Sequence, residues 1–142
     1  MSHTATASIV IHAPRPRVWK ALTEPAQVKA YFFGTDLETS WRPGSPLFFR
    51  GEWEGKHYED RGTVLSFEPP QSLAYDYWSA FSGLDDKPEL RQIVRYDLDE
   101  AEGGIRVRVQ QSNVDTKERA DHSQQNWRGV LEALKKYVES AK

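Results

Sequence analysis

The chain has 142 residues, 19 Lys and Arg against 21 Asp and Glu for a formal net charge of −2, and no cysteine. That length predicts one domain, residues 1–142, able to bury a core without staples. The missing thiols exclude disulfides, thiol nucleophiles and Cys-ligated zinc, and the near-balanced charge gives no footprint for nucleic acid. No apolar run approaches the roughly 18 residues of a membrane span. The opening MSHTATASIV lacks the basic and apolar regions of a signal peptide, so a cytoplasmic setting is expected.

In chain order, Ala5, Ala7, Ile9 and Ile11 alternate with more polar neighbours and predict a half-buried strand over Ala5–His12. Pro14 and Pro16 suit the first turn of a short helix carrying Val18, Trp19 and Leu22. Thr23-Glu24-Pro25 reads as a break and restart, leading to a second short helix with Val28, Tyr31 and Phe32 that Gly34 closes. From Thr35 to Ser112 the period becomes strand-like. Turn residues at Pro43-Gly44, Glu54-Gly55-Lys56, Pro69-Pro70, Ser82-Gly83 and Gly103-Gly104 separate six strands. These are Asp36–Ser40, Leu47–Trp53, Tyr58–Phe67, Leu73–Trp78, Gln92–Leu98 and Ile105–Gln111, and their short connections imply antiparallel pairing. Thr116–Ser140 is a long helix with Trp127, Val130, Leu131, Leu134, Tyr137 and Val138 in one apolar stripe. A Glu132–Lys136 ion pair is expected opposite that stripe, and Gly129 suggests close packing. The sum is a two-layer α+β domain, its sheet curved around the last helix.

Chemistry-bearing motifs are scarce. His3, His12, His57 and His122 are isolated, and no metal spacing, nucleophile elbow or phosphate-binding glycine loop is present, so no catalytic residue, metal or cofactor is assigned. His57 is expected in a hairpin turn. Glu59 and Asp60 are adjacent on a strand and point to opposite faces, and Asp85-Asp86 reads as a hydrated loop pair.

The aromatic residues form the one notable constellation: 5 Trp, 6 Tyr and 6 Phe stand beside 24 Leu, Ile and Val. Alternation places Leu73, Tyr75 and Tyr77 on one face, as it does Leu47, Phe49, Gly51 and Trp53, and Leu65 with Phe67. Turned inward, these faces would meet Phe32, Trp127 and Leu131. Two readings stand: an ordinary aromatic core, or a cavity for an apolar ligand oriented by tyrosine hydroxyls.

The run Ala13-Pro14-Arg15-Pro16-Arg17-Val18-Trp19-Lys20-Ala21-Leu22-Thr23-Glu24-Pro25 resembles the opening of SRPBCC-superfamily proteins, in the branch similar to the activator of the 90-kDa heat-shock protein ATPase. Gly62-Thr63-Val64-Leu65, Tyr77-Trp78-Ser79, Ser82 to Glu89 and Asn126-Trp127-Arg128-Gly129 follow in the order of that branch, which frequently has Gly at Asn126 and an acidic residue at Pro16. The resemblance implies a helix-grip fold: a seven-stranded antiparallel sheet around a long C-terminal helix, with two short helices after the first strand. It also implies a hydrophobic cavity between the two. The expected function is therefore binding of a small apolar, aromatic or lipid-like molecule by Phe32, Phe49, Trp53, Phe67, Tyr75, Tyr77, Trp127 and Leu131. Alternatives are a stress-linked module contacting a chaperone, and a cyclase- or isomerase-like enzyme using cavity tyrosines.

Overall fold

A computed structural model of the chain describes residues 3–32, 34–79 and 85–140, without the side chains of Trp53 and Pro88. The elements are β1 (His3–Ile11), α1 (Arg15–Thr23), α2 (Pro25–Tyr31), β2 (Asp36–Thr39), β3 (Pro46–Trp53), β4 (Lys56–Glu68), β5 (Ser72–Trp78), a 3₁₀ turn (Pro88–Leu90), β6 (Gln92–Ala101), β7 (Gly104–Val114) and α3 (Lys117–Ser140). The seven strands form one antiparallel sheet in the order β1-β7-β6-β5-β4-β3-β2. Strands β2 to β7 make a meander, while β1 pairs with β7 through Ile9↔Val107 and Ile11↔Ile105. The two short helices carry the chain from one sheet edge to the other. Glu24 serves both, ending α1 and starting α2, and its extended backbone (φ −79°, ψ 123°) makes the break.

The curved sheet closes on α3, whose Trp127, Val130, Leu131, Leu134 and Val138 are buried. The far end of α3 is pinned by polar contacts. The Arg17 guanidinium donates to the Val138 carbonyl (3.1 Å), Lys135 Nζ to the Val10 carbonyl (2.9 Å), and the His12 backbone N–H to Glu139 Oε2 (2.8 Å). The His12 bond, followed by Lys135, holds the Glu139 carboxyl below its ordinary range.

Local details depart from the sequence-based expectations. The ion pair along α3 is Lys135–Glu139 (2.6 Å) rather than Glu132–Lys136. Gly129 does not mark close packing: a Cβ there would meet nothing within 4 Å. His57 is not in a turn. It lies in β4 opposite Glu52, because Glu54 and Gly55, both at positive φ (50° and 80°), make a two-residue hairpin loop closed by Trp53↔Lys56. Asp86 is not simply hydrated but accepts from Arg91 Nε at 2.8 Å, on the same guanidinium that reaches Asp76 at 3.0 Å.

The largest departure is in β4. Its register slips between Val64 and Ser66, which pair with Tyr75 and Ala74 on β5. Leu65 is the extra residue of a bulge, and a bulge reverses which parity faces the core. Before it, Asp60 and Val64 are buried (6% and 1% exposed); after it, Phe67 packs on the core. Leu65 is 45% exposed and does not share the inner face with Phe67.

Candidate functional site

The inner face is laid down strand by strand through simple alternation: Leu47 and Phe49 on β3, Leu73, Tyr75 and Tyr77 on β5, and Val94, Tyr96 and Leu98 on β6. Across the gap stand Tyr31 and Phe32 at the end of α2, and Trp127 and Leu131 on α3. The rings form one continuous chain. Phe49 touches Phe32 (centroids 6.1 Å apart, planes at 20°), Tyr75 (5.8 Å) and Tyr77 (6.0 Å). Trp127 meets Phe32 (6.1 Å) and stands edge-on to Tyr96 (5.8 Å, 89°). At the other end, Phe67 stacks on Trp41 (5.4 Å, 17°) and contacts Trp19 (5.4 Å).

Seven of the eight residues expected from the sequence are thus brought to the inner face: Phe32, Phe49, Phe67, Tyr75, Tyr77, Trp127 and Leu131. The side chain of Trp53 lies outside the described residues. Four further residues belong to the wall. Tyr96 was visible in the Val94-Tyr96-Leu98 alternation, and Tyr31 lay on the second short helix. Trp41 has no sequence signal. It sits between strands at φ 62°, a strained setting for so bulky a residue, with its indole N–H donating to the Thr23 carbonyl (2.9 Å). Asp60 and Glu59 point to opposite faces, as alternation requires: Glu59 pairs with Arg50 outside, while Asp60 turns in.

The polar atoms of this interior fall into two groups. Several are tied internally. Tyr31 donates to the Ala21 carbonyl (2.8 Å), Tyr77 to Asp60 Oδ2 (2.5 Å), and the Trp127 indole to Gln111 Oε1 (2.7 Å), whose amide in turn donates to Gln92. The hydroxyls of Tyr75 and Tyr96 have no hydrogen-bond partner among the described residues, although the residues are only 4% and 7% exposed. No described side-chain polar atom that is fully sealed lacks a partner, so both hydroxyl oxygens keep some accessible surface. They lie on adjacent strands, one diagonal step apart, since Tyr75 pairs with Val94 and Tyr96 with Leu73. Burial raises both phenols well above their ordinary pKa, and Tyr75 and Tyr31 raise Tyr96 further. They therefore remain protonated donors at neutral pH.

A cleft of about 610 Å³ opens at the β3–β4 end, lined by Gly34, Gly51 and Tyr58 together with charged Asp36, Arg50 and Glu59. A Cβ at Gly51 would lie 2.5 Å from the Tyr58 hydroxyl, which shares a hydrogen bond with Thr35 (2.8 Å), so a larger residue there would displace the Tyr58 ring. Tyr58 precedes Asp60 by two residues on the same strand face. Among the described residues no group of His, Asp and Glu gathers as a metal site, and no helix is long and apolar enough to cross a membrane.

A seven-stranded antiparallel sheet gripping one long C-terminal helix, with two short helices after the first strand and a ring-lined interior, defines an SRPBCC-type domain. Residues 12–139 match the family described as Activator of Hsp90 ATPase homolog 1-like protein, and the chain belongs to that family. A protein from Cytophaga hutchinsonii, known from its solution structure, is 39% identical over 97% of this chain and 94% of its own, with a TM-score of 0.83. The solution structure of the Aha1 dimer from Colwellia psychrerythraea is 20% identical over 96% of each chain (TM-score 0.75). DynU16, a protein in the dynemicin biosynthetic locus, is 18% identical over 98% of this chain and 48% of its own (TM-score 0.81). These last two share the fold. No curated protein matches the sequence significantly.

Proposed function

We propose that the chain binds a small aromatic or otherwise apolar molecule between the sheet and α3, against the wall formed by Phe32, Phe49, Phe67, Tyr75, Tyr77, Trp127 and Leu131. One observation carries this reading: the Tyr75 and Tyr96 hydroxyls are almost fully enclosed by rings and have no described partner. Neither hydroxyl oxygen is sealed off, so both can take a partner from outside the chain. A ligand oxygen or nitrogen that accepts from them would be oriented by those bonds, while the rings contribute apolar contact. In this reading the two phenols, kept protonated by burial, act as hydrogen-bond donors to the ligand.

The test is titration with three apolar classes, namely fatty acids, sterols and planar aromatic ketones, followed by amide chemical shifts. Saturable shifts centred on residues 75, 96 and 127, reduced in Tyr75→Phe and Tyr96→Phe, are expected for at least one class. Shifts confined to outer loops, or none with any class, would return the rings to the role of a filled core.

A further inference from the structure

The inner face also carries a hydrogen-bonded chain whose direction is fixed at one end. The Trp127 indole N–H can only donate, and it donates to Gln111 Oε1 at 2.7 Å. The Gln111 amide nitrogen is then the atom left to donate, and it does so to Gln92 Oε1. Gln92 Nε2 is therefore the terminus of the chain, a group with two N–H donors and no capacity to accept. It has no hydrogen-bond partner among the described residues, and since no fully sealed described polar atom lacks one, it keeps accessible surface. Gln92 is half-buried and opens β6 on the parity that continues through Val94, Tyr96 and Leu98, so its side chain leaves the inner side of the sheet. Register sets it around Tyr75. Val94 is the direct cross-strand partner of Tyr75, and Gln92 and Tyr96 are the two diagonal neighbours on β6. A diagonal step spans about 7–8 Å, within reach of side chains this long. The direct partner of Gln92, Tyr77, is already committed to Asp60 at 2.5 Å.

We infer that Gln92 is the specificity-determining residue of the site and that, together with Tyr75 and Tyr96, it selects aromatic ligands bearing a carbonyl oxygen. The inference rests on the binding reading above and adds to it the class of ligand. A phenol hydroxyl can donate or accept, so the two tyrosines alone do not distinguish a ligand acceptor from a ligand donor. Gln92 does, because its free nitrogen only donates. A ring N–H or ammonium directed at it sets donor against donor. A carbonyl oxygen has two lone pairs and can accept from Gln92 and from a tyrosine together. The amide cannot turn to suit a different ligand without cost, because exchanging its oxygen and nitrogen would set Nε2 against the Gln111 amide nitrogen, which the Trp127 indole has already made a donor. The terminal donor is thus held in one orientation before a ligand arrives. A hydrocarbon group in the place of the carbonyl displaces water from these donors and returns no acceptor, which is the basis of the selection.

The experiment compares 2-acetylnaphthalene with 2-isopropenylnaphthalene, which has the same shape but a CH2 group in place of the carbonyl oxygen, by amide-shift titration of wild type, Gln92→Glu and Gln92→Met. Gln92→Glu keeps the oxygen that accepts from Gln111 and replaces the free donor with an acceptor. The wild type is expected to bind the ketone about tenfold or more tightly than the alkene. Both variants should bring that ratio close to one through loss of ketone affinity, with the alkene affinity kept within about twofold. In isotope-edited infrared spectra the C=O stretch of the bound ketone should lie below its value in alkane solvent for the wild type, and move back toward that value in the variants. A purely structural role for Gln92 would weaken both probes alike and leave the stretch unmoved. A wild-type ratio near one with both probes bound overturns this inference and leaves the binding reading standing. A ketone preference that survives in a folded Gln92→Glu or Gln92→Met chain also overturns it. Failure of both probes to bind the wild type overturns the inference and the binding reading together. If Gln92→Glu does not fold, Gln92→Met decides the same comparison.

Discussion

Replacing Trp127 with alanine removes the ring that joins α3 to the sheet, and the structure allows the effect to be sized. The side chain is 8% exposed, lies against Phe32 and Tyr96, and donates its indole N–H to Gln111 at 2.7 Å. Truncating a buried Trp costs about 3–5 kcal/mol from lost burial and the cavity left behind. Gln111, itself 8% exposed, would in addition lose the donor to its carbonyl oxygen, which places the expected value near the top of that range, about 4–5 kcal/mol. For a chain of this size that corresponds to a melting temperature lower by roughly 10–15 °C. Trp127→Phe keeps most of the ring contact and loses the N–H, so it should cost about 2 kcal/mol. Urea unfolding of the two variants and of Gln111→Leu, singly and in combination with Trp127→Phe, separates packing from hydrogen bond as a double-mutant cycle. A loss below about 1 kcal/mol in Trp127→Ala, at unchanged m-value, would refute the placement of the helix stripe against the sheet.

Gly129 faces open space within α3, so Gly129→Ala should raise stability by about 1 kcal/mol, measured as a higher urea midpoint. The bulge in β4 predicts opposite behaviour for two leucines: Leu65→Ser should change stability by no more than about 0.5 kcal/mol, whereas Leu73→Ala, at 1% exposure, should cost about 2–5 kcal/mol. Tyr31, Tyr75, Tyr77 and Tyr96 all have phenol pKa values raised by burial, so in base the unfolded chain ionises first. Stability from these groups is intact below pH about 10, the unfolded value, and falls above it by roughly 1.4 kcal/mol per pH unit for each tyrosine until the folded value is reached. Urea midpoints measured from pH 8 to 11 should be flat and then drop steeply, with the tyrosinate absorbance appearing together with unfolding; tyrosinate formation in the still-folded chain would contradict the burial.

The element order was legible because each segment follows one period. Alternation of Ile105, Val107 and Val109 with Arg106 and Arg108 admits only a strand with one face inside, and the Trp127-to-Val138 stripe admits only a helix packed on one side. The details that escaped come from pairings that a single segment does not contain. Whether Leu65 or Val64 faces inward depends on the partner strand, since a bulge is a mismatch between two strands. Trp41 is a sharper case. Its local preference opposes φ 62°, yet the stacking on Phe67 and the bond to Thr23 hold it there, so tertiary contact overrides the local term. Alternation did separate Glu59 from Asp60, but which of the two faces inward depends on the partners, Arg50 for Glu59 and Tyr77 for Asp60.

The aromatic wall could be placed from sequence, but its two readings could not be separated there, because rings that fill a core and rings that line a pocket obey the same alternation. What separates them is the fate of the polar atoms attached to the rings. In a filled core every such atom is paired within the chain, as the Trp127 indole, the Tyr31 hydroxyl and the Tyr77 hydroxyl are. In a binding site some are left to pair with the ligand, because a donor already satisfied by the protein contributes little to recognition. Tyr75 and Tyr96 occupy neighbouring strands and have no hydrogen-bond partner among the described residues, which is the condition the proposed binding reading requires. Their pairing across β5 and β6 is a property of register. A shift of one residue in that register would turn one phenol to solvent and dissolve the donor pair while leaving both strands, and the composition of the wall, unchanged.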